Sequence, residues 1–163
     1  LVHSKNLFGN GLLLPAGPLR EPKSRLDHAD IVVYANNTNE SIYSIATISD
    51  FVINSVSNES KNIRDFTVNK IHLVTGIASM DIIIENLKNH RIQYISHKYN
   101  DHHMFDGTEI IFDDNYPVFI TQKDYVKLSG INNKNIWIID HTIKPNKLLM
   151  TKLNMDLSRL LNI

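Results

Sequence analysis

Residues 9–22, GNGLLLPAGPLREP, constrain the fold of this chain more than any other stretch. Two glycines flank Asn10 and permit positive φ angles and close backbone approach. Two prolines around Gly17 impose extended backbone, so the segment is a shaped loop. It ends in Arg20, a planar cation suited to bidentate contact with an oxyanion, and Glu21, a carboxylate suited to holding a metal ion or accepting a proton. Two interpretations stay open, a functional loop or a proline-rich connector that starts a helix.

Composition limits the classes of protein to which the chain can belong. Its 163 residues are 42% hydrophobic and 21% charged, which is typical of one globular domain with a single core. The 17 basic and 17 acidic side chains balance, which argues against nucleic acid as a partner bound by bulk phosphate neutralisation. The absence of cysteine excludes disulfides, cysteine-ligated zinc and thiol catalysis, and fits a reducing cytoplasm. No apolar run approaches the roughly 20 residues of a membrane-spanning helix.

Apolar and β-branched runs separated by polar turns predict an α/β chain. Segments 41–49 and 51–56 are expected to form two strands or one long bent strand, and they could pair as a hairpin, whereas 57–64 is expected to be a loop. Strands are predicted at residues 31–35, 41–49, 51–56, 70–75, 91–99, 117–121 and 135–140, and helices at residues 24–28, 80–89 and beyond Pro145.

Two places after predicted strands are candidates for ligand contact, because α/β sheets bind ligands at the carboxyl ends of their strands. One is the turn GIASM that follows strand 70–75, with Ser79 as a helix cap, although any such turn needs a glycine or a cap. The other is Lys123-Asp124, after strand 117–121. This pair could face a nucleotide or phosphate at a helix N-terminus, or Asp124 could simply be a first-turn residue favoured by the helix dipole.

The pair His102-His103 follows Asp101 at the end of predicted strand 91–99. Adjacent side chains on an extended strand point apart, and no cysteine or third clustered histidine completes a zinc site, so zinc is not expected. One imidazole could instead polarise a neighbouring carboxylate or relay a proton near neutral pH. The alternative is a histidine exposed to solvent in a loop.

Two features of the C-terminal region complete the pattern. Trp137, the only tryptophan, lies in strand 135–140 and is expected in the core. Beyond Pro145, leucines recur every three to four residues and predict an amphipathic helix. This helix is expected to pack on the sheet, while the accompanying lysines and arginine leave open peripheral contact with a membrane surface.

The loop also carries a family resemblance. GNG followed by LLPAGPLREP, then Ser24-Arg25-Leu26 and Ala29-Asp30, resembles the middle of the tetraacyldisaccharide 4'-kinases, and the similarity extends from about Phe8 to about Trp137. This resemblance implies a P-loop kinase that uses ATP and Mg²⁺ to phosphorylate the 4'-hydroxyl of a lipid disaccharide, acting peripherally at the cytoplasmic face of the bacterial inner membrane. It also implies an α/β, Rossmann-like mixed sheet of the P-loop NTPase type with flanking helices.

The resemblance assigns roles to individual residues. Asp101-His102 matches a D-H motif and implies catalysis by His102, with Asp101 beside it. Arg20 and Asn10 are implied to bind substrate, and Glu21 to hold the metal ion. QKDYVK resembles TEKDAVK, with Gln122 and Tyr125 as departures, and implies nucleotide contact by Lys123 and Asp124. GIASM departs from a glycine-rich GIG-x-P turn.

The chain contains no G-x-x-x-x-G-K-[ST] motif and no segment resembling DDGFQ. Together with an N-terminus, LVHSKN, that has neither Met nor a signal-peptide core, this predicts the C-terminal half of a longer kinase, incomplete as a fold and inactive without its N-terminal P-loop half. The expected division is a substrate and metal-site loop with a helix (1–30), a possible β-hairpin linker (31–69) and a C-terminal α/β domain (70–163). The alternative is a non-catalytic α/β binding or assembly module that has lost the nucleotide site.

Overall fold

The structure, a computed structural model, describes residues 1–4, 7–67, 70–76, 81–100, 103–128 and 130–161. The elements divide into two compact units, Leu1–Ile48 with Ile143–Ile163, and Ser49–Thr142. The strands are β1 (Val2–His3), β2 (Tyr34–Ala35), β3 (Ser44–Asn54), β4 (Ser60–Asn62), β5 (Ile71–Thr75), β6 (Tyr94–Lys98), β7 (Val118–Thr121) and β8 (Ile136–Pro145). The α-helices are α1 (Asp81–Asn89), α2 (Gln122–Tyr125) and α3 (Lys147–Leu161), and short 3₁₀ helices cover Lys23–His28, Ile63–Phe66 and Thr108–Ile110.

The first unit contains a small parallel strand layer and α3. β1 pairs with β2, and β2 pairs with the start of β3 through Tyr34 opposite Ser44. Asn146, the residue before α3, accepts a hydrogen bond from the Leu149 amide and donates one from Nδ2 to the Ile42 carbonyl. The division expected from the sequence placed α3 within residues 70–163 and stays a prediction, and in the structure α3 belongs to the same compact unit as Leu1–Ile48.

The second unit contains a mixed sheet in the order β3, β8, β7, β5, β6, with β4 paired to β3. β8, β7, β5 and β6 are mutually parallel. The Ser55 amide donates to the Ile136 carbonyl, and Ser49 Oγ lies 2.7 Å from His141 Nδ1, so β3 and β8 run antiparallel. The α/β mixed sheet with flanking helices expected from the sequence is therefore confirmed.

Both faces of the second unit's sheet are buried, as a parallel sheet requires. Successive residues of β5 point to opposite faces, so Leu73 packs in one core and Val74 in the other. The first core includes α1 and Trp137, which meets Phe66 edge to face at 5.0 Å between ring centroids. The prediction that Trp137 is a core residue is confirmed.

The strand predictions need two corrections. Of the alternatives for residues 41–56, the structure has the single long strand, β3 (Ser44–Asn54), but β4, which pairs with it antiparallel, lies inside the segment expected to be a loop. The run at 31–35 is a strand only at Tyr34–Ala35. A β-rich stretch indicates extended backbone, but its partner is set by tertiary pairing that a local pattern does not contain. The predicted cap Ser79 lies outside the described residues.

The packing expected for α3 is also corrected. Leu149 is its only buried side chain, and the remaining leucines and methionines of the helix are partly or fully exposed. Among the helices of the described residues, none is both long and apolar enough to cross a membrane.

Candidate functional site

The second unit has a topological switch point between β5 and β7. α1, which follows β5, buries Ile83 and Leu87 in the core that contains Leu73, whereas Leu128, which follows β7, is buried in the opposite core. The two connections therefore leave the sheet on opposite faces. At such a point the carboxyl ends of adjacent parallel strands frame a crevice, which is where open α/β sheets bind ligands.

Asp124 links the two strand ends at this switch point. Thr121 caps α2 by accepting a hydrogen bond from the Asp124 amide, and its hydroxyl donates to Asp124 Oδ2 at 2.8 Å. The Gly76 amide, directly after β5, donates to the same oxygen at 3.0 Å. Lys127 Nζ donates to Oδ1 at 3.0 Å. The carboxylate is fully buried, with both oxygens engaged.

The environment of Asp124 favours its ionised form. Burial alone would raise the pKa of this carboxyl, but the hydrogen bond from the Gly76 amide, followed by those from Lys127 and Thr121, outweighs burial and lowers the pKa below its ordinary value. Asp124 is thus a first-turn residue that holds the corner together. Its predicted contact with a nucleotide remains a prediction, as does that of Lys123, which lies exposed in the same turn.

Gly76 marks the place where three segments converge. A Cβ atom there would lie 3.2 Å from Asp124 Oδ1, 3.4 Å from the Asn100 carbonyl and 3.5 Å from the Phe105 ring. A larger residue would push these groups apart, so the predicted βα turn begins at a close backbone approach. Residues 77–80 of that turn lie outside the described part of the chain.

The predicted catalytic pair, Asp101 and His102, also lies outside the described residues. The residues on either side are held by backbone hydrogen bonds. The His103 amide donates to the Asn100 carbonyl at 3.0 Å, and the Tyr99 amide donates to the Thr75 carbonyl at 2.9 Å. Tyr99 and Asn100, which precede the pair, therefore lie at the carboxyl ends of β5 and β6.

His103 is bound within a cluster that sequence reasoning missed. Its Nε2 lies 2.7 Å from Glu109 Oε1, its ring stacks on Tyr99 at 4.6 Å, and Phe105 meets it edge to face at 4.7 Å. Glu109 Oε2 accepts from the amides of Asp106 and Gly107. Burial, and then the Glu109 charge, raise the pKa of Tyr99. Glu109 lies six residues after His103, and nothing in the sequence indicated that these two side chains would be in contact.

A second histidine cluster lies in the same unit. His72 is buried in β5, with Nδ1 2.8 Å from His97 Nε2 and Nε2 2.9 Å from Asp114 Oδ1, and it stacks on Phe112 at 3.6 Å between ring centroids. Since both His72 nitrogens are engaged by protein groups, the cluster is a hydrogen-bonded chain and not a set of converging metal ligands. Burial, followed by the nearby His72, lowers the pKa of His97.

The loop of residues 9–22, in the first unit, is held by its own hydrogen bonds. Gly9 and Gly11 have φ angles of 56° and 79°, the positive values expected from the sequence. Asn10 Nδ2 donates to the Ala16 carbonyl at 2.9 Å, and Asn10 Oδ1 accepts from the Leu12 amide at 3.1 Å. Asn10 therefore shapes the loop, and its contact with substrate stays a prediction.

Arg20 and Glu21 are both exposed at the end of this loop. Glu21 Oε2 lies 3.2 Å from Arg25 Nε, and Lys23 Nζ lies 4.8 Å above the Phe8 ring. Glu21, Lys23 and Arg25 line a hollow of about 350 Å³, to which Arg20 and Asn10 do not contribute. Lys23 and Arg25 were not predicted as site residues, although basic side chains beside Glu21 were visible in the sequence.

Metal binding in the described residues would depend on few ligands. Among the described residues, no group of three or more histidines, aspartates and glutamates is arranged to hold a metal ion. Mg²⁺ is commonly held by only one or two carboxylates together with water and substrate phosphates, so an exposed carboxylate such as Glu21 fits one position of such a shell.

Comparisons with known proteins agree with this architecture. The family model described as Tetraacyldisaccharide-1-P 4'-kinase matches residues 1–158. A tetraacyldisaccharide 4'-kinase of Colwellia psychrerythraea is 35% identical over 85% of this chain and 44% of its own length, and one of Pasteurella multocida is 34% identical over 81% and 41%. A crystal structure of LpxK from Aquifex aeolicus in complex with ATP superposes with a TM-score of 0.65 at 21% identity, covering 97% of this chain and 50% of that one. The chain spans about half the length of the relatives it matches, and it belongs to the tetraacyldisaccharide-1-P 4'-kinase family.

Proposed function

We propose that this chain is the C-terminal part of a kinase that transfers the γ-phosphate of ATP to the 4'-hydroxyl of a tetraacyldisaccharide 1-phosphate in lipid A biosynthesis. The reaction would take place at the cytoplasmic face of the inner membrane. Family membership supports phosphoryl transfer as the reaction, and the ATP in the Aquifex aeolicus structure supports ATP as the phosphate donor.

The observation that carries the proposal is the switch point of the second unit. Asn100, the residue before Asp101 and His102, lies beside Gly76 at the strand ends, where α/β sheets bind ligands. In the proposed mechanism, His102 holds or moves a proton at the reacting sugar hydroxyl, and a P-loop half supplies the phosphate cradle and the partner aspartate. Asp124 acts on the nucleotide side by positioning Gly76 and Lys127.

The first unit contributes groups suited to an anionic substrate. Arg20 is exposed and offers a planar fork to phosphate oxygens, while Asn10 keeps the loop in shape for that contact. Glu21 would hold Mg²⁺, which neutralises phosphate charge when bound. Glu21 now pairs with Arg25 on the surface, an interaction weak enough to be exchanged for the ion.

The test uses the chain alone and the chain joined behind the N-terminal part of the Colwellia psychrerythraea relative. We expect the chain alone to transfer no labelled γ-phosphate to the lipid disaccharide, and the fusion to transfer it. In the fusion, His102→Ala should lower kcat by roughly 10² to 10⁴ with little change in KM or melting temperature, as for loss of proton transfer.

His103→Ala is the matched control. Its imidazole packs against Tyr99 and Glu109, so its loss should lower the melting temperature. At a temperature where the variant is folded, kcat should change little. Equal kinetic losses in the two variants would contradict the role of His102. A folded fusion that binds the disaccharide but never phosphorylates it would favour the non-catalytic module instead.

A further inference from the structure

The sequence contains one Asn-Gly pair, Asn10-Gly11, in the loop of residues 9–22. A glycine has no side chain to hinder its backbone nitrogen, so that nitrogen can reach the carboxamide carbon of the asparagine before it. Ring closure between these two atoms is the ordinary route of deamidation, which makes asparagine a thermolabile residue. Asn10 is exposed, so water has access to it. By sequence and exposure, Asn10 is therefore the asparagine most prone to this reaction.

In the folded loop, hydrogen bonds engage both reacting groups. The Gly11 amide, whose nitrogen is the nucleophile, donates to the Phe8 carbonyl at 2.9 Å. The Asn10 carboxamide is held at both ends, because Nδ2 donates to the Ala16 carbonyl at 2.9 Å and Oδ1 accepts from the Leu12 amide at 3.1 Å. Ring closure requires the carboxamide to swing toward the Gly11 nitrogen, and it requires that nitrogen to lose its proton. All three hydrogen bonds oppose these changes.

Gly17 lies directly against the Asn10 carboxamide. A Cβ atom at Gly17 would overlap Asn10 Oδ1 and the Leu12 carbonyl. The Gly17 amide donates to the Leu13 carbonyl at 2.9 Å, which fixes its position. The φ angle of Gly17 lies outside the left-handed region, so an added methyl group would act through this overlap and not through backbone strain. The close approach of Gly17 thus keeps the carboxamide away from the Gly11 nitrogen.

We infer that Asn10 is a modification site that the closed loop protects and the open loop exposes. When the loop opens, the Gly11 nitrogen bonds to Asn10 Cγ, the bond from Cγ to the side-chain nitrogen breaks, and ammonia leaves with the proton of the Gly11 amide. Water then adds to either carbonyl carbon of the resulting succinimide ring and opens it. The product is aspartate or, where the backbone continues through Cγ, isoaspartate.

The products do not fit the loop as Asn10 does. An aspartate carboxylate has no donor for the Ala16 carbonyl, so one oxygen would face another where Nδ2 now lies. Isoaspartate adds a carbon atom to the backbone between two glycines whose φ angles are 56° and 79°. Either product also places a negative charge in the loop that ends in Arg20 and Glu21. Deamidation therefore keeps the loop open, whatever reaction the chain takes part in.

The experiment follows deamidation of the chain in a mildly alkaline buffer with and without urea. Trypsin releases the peptide that ends at Arg20, and fragment masses locate the exchange of NH₂ for OH at Asn10. Detection of isoaspartate with an isoaspartate methyltransferase confirms the ring intermediate, because direct hydrolysis of the side-chain amide yields aspartate alone. We expect deamidation of the folded chain to be at least ~10-fold slower than deamidation in urea, because the reaction has to await local opening.

Gly17→Ala tests the packing against the carboxamide. Gly130→Ala is the matched control, because an added Cβ there meets nothing within 4 Å. We expect folded Gly17→Ala to deamidate at least ~5-fold faster than the folded wild-type chain, and Gly130→Ala to stay within ~2-fold of it. Thermal melts show that each variant is folded at the temperature of the assay.

Three outcomes would overturn the assignment. Equal rates for the wild-type chain with and without urea would show that the loop does not protect Asn10, and this comparison stands even where Gly17→Ala does not fold. Absence of deamidation in urea would show that Asn10 is not a modification site. A folded Gly17→Ala that deamidates as slowly as wild type would show that the position of the carboxamide is not what protects it.

Discussion

Substitution of Asp124 tests whether the switch point depends on a buried carboxylate. Asp124→Ala removes the acceptor of three hydrogen bonds, from the Gly76 amide, the Thr121 hydroxyl and Lys127, and leaves the amide at a buried position. Hydrogen bonds to a charged group contribute about 1.5–3 kcal/mol each, but Lys127 can regain water, so we expect a net loss of about 4 kcal/mol. In a chain of this length that corresponds to roughly 8–16 °C in melting temperature.

Asp124→Asn separates charge from hydrogen bonding. The amide oxygen can still accept from Gly76, so we expect about half the loss seen with alanine. The folded pKa of Asp124 lies below its ordinary value of 3.8, so its stabilisation is complete above that value and is lost as pH falls through the folded pKa. The difference between wild type and Asp124→Asn should therefore be constant from about pH 7 to pH 5 and shrink below about pH 4.

Thermal melts followed by circular dichroism across this pH range measure both effects, with the exposed Asp113→Asn as the control. A loss below about 1 kcal/mol for Asp124→Ala, the size of an ordinary surface substitution, would refute the argument that the carboxylate holds the corner. A difference that stayed constant down to strongly acidic pH would refute the assignment of the effect to charge.

Three further predictions follow from the site. In an active fusion, Arg20→Ala and Glu21→Ala should lower turnover strongly and change stability by less than about 0.5 kcal/mol, because both side chains are exposed; near-normal turnover in steady-state assays would leave the loop a connector. Glu109→Gln should lower the melting temperature by the equivalent of about 1–3 kcal/mol, because it removes the charge that His103 contacts, and an unchanged melt would contradict the cluster. Burial lowers the pKa of both His97 and His141, so the unfolded chain takes up protons first and stability to urea should fall as pH drops below about 6.5; His97→Gln should reduce that slope.

The sequence predicted best where a local pattern determines the structure. The run of β-branched residues around Leu73 is a buried strand, α1 follows it, and Trp137 is in the core. The positive φ angles at Gly9 and Gly11 also follow from local sequence, because glycine adopts them without steric cost. These features depend on residues within one or two turns of each other.

Long-range contacts could not be predicted in the same way. One partner of β3 is β4, and the buried carboxylate of Asp124 reaches Gly76 across 48 residues. Periodicity places His72 inside a strand but contains no information on Asp114, 42 residues away. A single sequence does not provide the burial of Asp124 either, and the structure shows that this first-turn carboxylate is buried against Gly76.

The two carboxylates beside the switch point affect how catalytic losses should be interpreted. Asp124 holds Gly76, the residue before segment 77–80, and Glu109 holds His103, the residue after Asp101-His102. Each side chain thus holds a residue next to a segment that is proposed to bind a ligand or to take part in the chemistry. A loss of activity at Asp124 or Glu109 would therefore arise from misplacement of that segment, and a displacement of about 1 Å is enough to lower turnover 10²-fold. Loss of a proton-transferring group alters the pH profile of kcat, whereas misplacement lowers kcat at every pH, so the pH profile of each variant would test the role proposed for His102.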